Sequence, residues 1–150
     1  MKLANLLFLS LGFLVFTSCE KEETIDRVAH DDEIIMDYLS TNNIDATKHQ
    51  SGLYYLIEEE GNGEHPHSNS LVTVDYQGYL LDGTVFDSGR IEGQNLQGYI
   101  QGWVIGIPLF SEGGKGKLFL PSYLAYGSRS QGPIAAHSVL VFDVELINFK

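Results

Sequence analysis

The chain has 150 residues, 43% of them apolar, enough for one domain with a packed core. Its formal net charge of −11, with only nine Lys and Arg, excludes a nucleic-acid binder, because phosphate recognition needs clustered basic side chains. A single cysteine excludes an internal disulfide, and sixteen glycines favour strands and turns over long helices.

Met1-Lys2 is a short positive start, and residues 3–17 are almost wholly apolar. That run is too short for a spanning helix, which needs about 20 apolar residues. It has the layout of a secretory signal. Cys19, the only cysteine, follows Thr17-Ser18 directly. This arrangement resembles a bacterial lipoprotein processing site, which implies that residues 1–18 are removed and Cys19 is lipidated. The chain would then sit in the cell envelope, anchored to a membrane on its periplasmic or surface side. The alternative is an ordinary cleaved signal peptide with a chance cysteine. Residues 19–30 are polar and charged and are expected to be a flexible tether. Within them, Glu20-Lys21-Glu22-Glu23 also resembles the sorting signature of some surface-exposed lipoproteins.

Asp31-Asp32-Glu33 precede Ile34, Ile35, Tyr38 and Leu39. Acids followed by this apolar spacing predict a short amphipathic helix that starts at the acids and stops at Asn42-Asn43. Residues 31–50 are thus a helical extension, either packed back on the domain or dimerising through Ile34, Ile35 and Tyr38. Residues 51–57 are β-rich and give way to a polar loop. His65 and His67 in that loop have no carboxylate or thiol motif around them, so no metal is expected.

Val72, Val74, Tyr76 and Leu80 alternate with polar residues, which describes a half-buried antiparallel strand with Gly78 on its inward face. Asp82-Gly83 is a hairpin turn signal, and Thr84-Val85-Phe86 begins the return strand. Residues 88–102, rich in Gly, Gln and Asn, are expected to be loop. The apolar run from Trp103 to Phe110 contains Pro108 and stops at Ser-Glu-Gly-Gly, which favours a short helix. Residues 115–120 and 139–149 are strands, with a turn at residues 123–127 between them. In the last strand Leu140, Phe142, Val144 and Leu146 share one face.

Several blocks then coincide in order: Val74-Asp75-Tyr76, Asp82-Gly83 with Phe86-Asp87-Ser88, and Ile100-Gln101-Gly102-Trp103. They are followed by Gly113-Gly114-Lys115-Gly116-Lys117, Leu124-Ala125-Tyr126-Gly127 and residues 140–146. Together they resemble the FK506-binding family of peptidyl-prolyl isomerases over residues 51–150. The resemblance implies an α+β fold, a twisted antiparallel sheet wrapped around one short helix at residues 103–109. It implies a prolyl pocket with Trp103 as floor, Tyr76, Phe86 and Phe142 as walls, and Asp87 as the one acidic group inside. Tyr126 would present its hydroxyl at the rim, Tyr99 and Ile100 would hold ligand through their backbone, and Ile134 would lie on a flap formed by residues 127–138. No cofactor or metal is implied. The expected partners are prolyl peptides and proteins, with macrolides of the FK506 type as further ligands.

The family pattern is broken in two places. The flap has Ile134-Ala135-Ala136 where Ile-Pro-Pro is frequent, and residues 92–96 offer only Leu96 where a wall phenylalanine is frequent. The sequence therefore supports an exported folding helper that isomerises X–Pro bonds, with a weakly catalytic binding or scaffold module as the second reading. A purely structural lipoprotein is the third.

Overall fold

The computed structural model of the protein describes residues 26–150. The expected signal segment, Cys19 and most of the expected tether lie outside these residues.

In chain order the elements are α1 (Arg27–Thr41), β1 (Thr47–Lys48), β2 (Tyr54–Glu59), β3 (Leu71–Leu80) and β4 (Val85–Asn95). They continue with α2 (Gln101–Gly106), β5 (Lys115–Leu120) and β6 (Leu140–Phe149). The strands form one six-stranded sheet in the order β1-β2-β5-β6-β3-β4, with every neighbouring pair antiparallel. A 3-10 turn, Ile107–Leu109, extends α2, so the short helical segment spans the expected 103–109 and starts two residues earlier.

Period-two alternation gives the sheet two apolar faces. On the inner face Leu53, Val74, Leu118, Leu120, Leu140, Phe142 and Leu146 pack with Trp103 and Ile107 of the α2 segment. Two helical glycines allow this close packing. A Cβ on Gly102 would sit 2.5 Å from Leu120 Cδ1, and one on Gly106 would sit 2.7 Å from Leu118 Cδ1. The helix axis thus lies nearer the sheet than any larger residue permits. On the outer face Tyr54, Phe119 and Val141 meet Ile35 and Leu39 of α1. The Tyr38 ring lies 6.2 Å from that of Phe119. The extension therefore packs back on the domain, as a third layer. Burying each of Ile35, Leu39 and Phe119 contributes about 1.5–3 kcal/mol.

Helix α1 begins earlier than the sequence suggests. Asp26 is its N-cap, and its Oδ1 accepts from the amides of Val28 at 3.1 Å and Ala29 at 3.4 Å. Asp31, Asp32 and Glu33 consequently fall in the second turn, too far inside to act on the helix dipole. Asp31 is fully buried instead.

A second correction concerns residues 88–102. Residues up to Asn95 continue β4 and pair with β3, from Tyr79↔Val85 to Leu71↔Asn95. The strand was illegible because it is the edge of the sheet, with a largely exposed run of side chains. It has no buried face to impose an apolar period. Its ladder hydrogen bonds hold it in place, and those leave no pattern in sequence. The short β1, paired with β2 at Thr47↔Tyr55, was likewise not expected.

Candidate active site

The aromatic residues of the inner face converge on one side chain. Trp103, 3% exposed at the start of α2, is met edge-on by Tyr76 of β3 at 5.1 Å and by Phe142 of β6 at 5.5 Å. Tyr99 stacks on it at 5.4 Å with an interplanar angle of 23°. Phe86 of β4 meets Phe142 edge-on at 5.5 Å. These edge-to-face and offset contacts are the arrangements that aromatic quadrupoles favour. They hold the rings as the walls and floor of a cavity rather than letting them collapse into it.

The cavity has a volume of about 340 Å³ and is lined by Tyr76, Phe86, Asp87, Tyr99, Ile100, Trp103, Tyr126, Ile134 and Phe142. Gln131, Gly132 and Pro133 complete it. All nine residues singled out from the sequence therefore share one cavity, within the size range of small-molecule and peptide side-chain sites. The last three were missed individually. Gly132-Pro133 forms the tip of a tight turn closed by Gln131 and Ile134, whose backbones exchange hydrogen bonds at 2.8 and 2.9 Å. The Gly-Pro pair was the signal that could have placed them. Ala135 and Ala136 are exposed and do not line the cavity. Leu96 is fully buried in the core rather than forming a wall, and no residue of 92–96 lines the cavity.

Phe86 and Asp87 are adjacent in a strand yet both line the cavity, which regular alternation forbids. The register explains it. Gly78 pairs with Asp87 and Tyr79 with Val85, so Phe86 is the extra residue of a β-bulge. Gly78 completes the arrangement. A Cβ there would lie 2.5 Å from the Phe86 ring and 2.8 Å from that of Phe142.

Asp87 is at the exposed rim rather than enclosed. Its Oδ2 accepts a 2.8 Å hydrogen bond from the Tyr76 hydroxyl. Burial, reinforced by this acidic acceptor, pushes the Tyr76 phenol up to about 12. Burial also raises Tyr99. Both rings therefore stay neutral donors through the physiological range. Nothing in the cavity is arranged as a nucleophile with an adjacent base. Its chemistry is that of an apolar bed with a few polar groups at the rim.

Residues 62–147 match the family described as FKBP-type peptidyl-prolyl cis-trans isomerase. The chain is 47% identical over 102 residues to the isomerase FkpA of Aeromonas hydrophila, covering 65% of this chain and 38% of that protein. It is 42% identical over 104 residues to FkpA of Escherichia coli strain K12, covering 67% of this chain and 38% of the relative. The chain thus spans well under half the length of the curated relatives it matches. The crystal structure of FkpA from Escherichia coli superposes with a TM-score of 0.71 at 35% identity, covering 82% of this chain and 61% of that one. The crystal structure of AtFKBP13 gives a TM-score of 0.65 at 32% identity, covering 71% of this chain and 99% of that one. The sheet wrapped on a short helix, the aromatic cavity and these matches agree, and the chain belongs to the FKBP-type peptidyl-prolyl cis-trans isomerase family.

Proposed function

We propose that the protein catalyses cis–trans isomerisation of X–Pro peptide bonds. The observation that carries this is the ring of Tyr76, Tyr99 and Phe142 about Trp103, open on a 340 Å³ cavity. Rotation about a peptide bond breaks amide resonance against a barrier of about 18–20 kcal/mol. The two X–Pro isomers differ by only about 0.5–1 kcal/mol, so the barrier alone limits exchange. A planar amide is strongly dipolar; a twisted one, with the C–N double-bond character lost, is less so. An apolar cavity disfavours the planar amide more than the twisted one, and this difference lowers the barrier.

In this mechanism the proline ring rests on Trp103 beside the Phe86–Phe142 pair. The Ile100 backbone and the Tyr126 hydroxyl hold the peptide on either side. Asp87 fixes the Tyr76 phenol and moves no proton. The test is cis–trans relaxation of Leu-Pro and Phe-Pro peptides with the purified chain. Relaxation no faster than the uncatalysed rate at micromolar protein refutes the reading. Because no proton is transferred, kcat/KM is expected to be flat from about pH 6 to 9, and a bell-shaped profile refutes this mechanism.

A second reading, a docking module for proline-containing segments with weak turnover, draws on one observation: residues 92–96 place no side chain in the cavity. Its mark is prolyl-peptide binding without rate enhancement. Macrolides of the FK506 type would occupy the same cavity under either reading, competing with peptide.

The protein's place of action is proposed to be the bacterial cell envelope, with Cys19 lipidated and the clients being exported proteins. The supports are the apolar run of residues 3–17 and the position of the only cysteine directly after it. Metabolic labelling with a clickable palmitate analogue tests this. Label retained in Cys19→Ser rules the anchor out.

A further inference from the structure

Asp31 is a buried carboxylate that the proposed chemistry does not use. It is 0% exposed, on the face of α1 that carries Ile35 and Leu39. A carboxylate there is costly to bury, and docking α1 does not require it. The contacts of Asp31 lead to the other side of the sheet's end. Its Oδ2 accepts from the Ser122 amide at 2.8 Å and from the Ser122 hydroxyl at 2.6 Å.

Ser122 is the root of the turn that carries Tyr126. Its carbonyl accepts from the amide of Ala125 at 3.0 Å and from that of Gly127 at 2.8 Å, bracketing Tyr126. The Gly127 carbonyl in turn accepts from the His137 amide at 2.7 Å, closing the base of the 127–137 loop that brings Pro133 and Ile134 to the cavity. A continuous hydrogen-bonded path therefore runs from α1 through Ser122 to the backbone on either side of Tyr126, which lines the cavity, and on to the 127–137 loop. On the exposed side Tyr123 donates to the Ser51 carbonyl at 3.2 Å. That contact is long and lies at the surface, so Asp31 is the firmer anchor of the two.

We propose that Asp31 is a positioning residue for the cavity, fixing through Ser122 the turn that holds Tyr126 at the rim. The kinetic part of this proposal rests on the isomerase reading; the positional part does not. A rim hydroxyl held out of place weakens the grip on substrate and transition state alike, so the loss falls in KM with kcat nearly unchanged. A merely structural role would lower the folded fraction, which reduces apparent kcat and leaves KM alone.

The experiment uses the full chain with Asp31→Leu, Asp31→Asn and Ser122→Ala. Asp31→Leu is expected to lower kcat/KM about tenfold through KM. Asp31→Asn keeps an oxygen that accepts both Ser122 bonds and is expected to stay within about twofold of the parent. Ser122→Ala, which removes one bond and leaves the amide contact, is expected to fall between them. Fluorotyrosine labelling supplies a readout independent of catalysis. The Tyr126 signal, assigned by its loss in Tyr126→Phe, is expected to shift in Asp31→Leu and return in Asp31→Asn.

An unshifted Tyr126 signal in folded Asp31→Leu overturns the proposal, as does a loss confined to kcat. If Asp31→Leu does not fold, Ser122→Ala decides alone, and an unshifted signal with parental KM overturns it. A parent chain without catalysis would sink the isomerase reading, while the fluorine signal would still decide the positional claim.

Discussion

The Tyr76 hydroxyl donates to Asp87 Oδ2 at 2.8 Å, joining the middle of β3 to the bulge of β4. The carboxylate sits at the rim with access to water, so its charge need not be neutralised inside the cavity. The Tyr76 ring meanwhile lies nearly perpendicular to that of Trp103, with centroids 5.1 Å apart. One hydrogen bond thus sets the orientation of an aromatic wall.

Breaking that bond from either side should have the same consequence. Tyr76→Phe and Asp87→Ala are each expected to lower kcat/KM about fivefold, because a hydrogen bond at an exposed rim contributes about 1 kcal/mol. The double variant is expected to lose little more than either single one. Fully additive losses in peptide relaxation assays would show that the two side chains act separately.

Trp103 is the chain's only tryptophan, so its emission reports on the cavity floor alone. A Leu-Pro peptide is expected to shift that emission with saturation, and Asp87→Ala should shift the midpoint. Trp103→Ala is expected to abolish peptide binding and to destabilise the fold by about 3–5 kcal/mol in urea unfolding. A peptide that leaves the emission unchanged while being isomerised would place the site elsewhere.

Gly78→Ala tests the space that the bulge leaves. The added methyl would press on the Phe86 and Phe142 rings, at a cost of about 1–3 kcal/mol. Both rings must tilt into the cavity, so peptide affinity is expected to fall more than stability does. Equal affinity in titrations of the variant and the parent would mean that the rings yield outward instead.

Alkaline pH should loosen the fold through two tyrosines. Tyr79, donating to Asp143 at 3.0 Å, is pushed up to about 12 by burial and by that acidic neighbour. Tyr76 is raised to about 12 as well. Unfolded, each would ionise near 10.0. A raised folded value means the folded state holds the proton more tightly. The resulting stabilisation is therefore fully present below pH 10.0 and is lost as pH rises toward about 12. Unfolding midpoints followed from pH 9 to about 11.5 are expected to fall, and Tyr79→Phe should flatten the decline. A Tyr79→Phe profile parallel to the parent's would exclude this source.

Much of the cavity was legible because its residues sit in short motifs whose order resembles the family's, two of them on strands with a buried face. Tyr76 and Phe142 fall on the inward period of β3 and β6, and Trp103 opens an apolar run that reads as helix or strand until Pro108 and the Ser-Glu-Gly-Gly stop favour a short helix. What escaped had no such signature. The edge strand β4 buries too little to show a period, and the Gly132-Pro133 tip meets the cavity only because Gln131 and Ile134 pair across it. Asp31 looked like a helix-start acid because the cap, Asp26, stood in what reads as linker.

By itself the sequence determined the inward faces of the strands, the site of the short helix and the set of aromatic residues available for a pocket. The first two follow from local periodicity and turn chemistry, which are written along the chain, and the third from the resemblance of its ordered motifs to the FK506-binding family. Only the tertiary structure decided that Phe86 and Asp87 point the same way, that Asp87 ends at the rim, and that α1 reaches Ser122 with a buried carboxylate. Each depends on register or on contact between residues far apart in sequence, the last joining positions 91 residues apart. Bulges and cross-layer hydrogen bonds are settled by the packing of whole layers, and no single stretch of sequence carries that information.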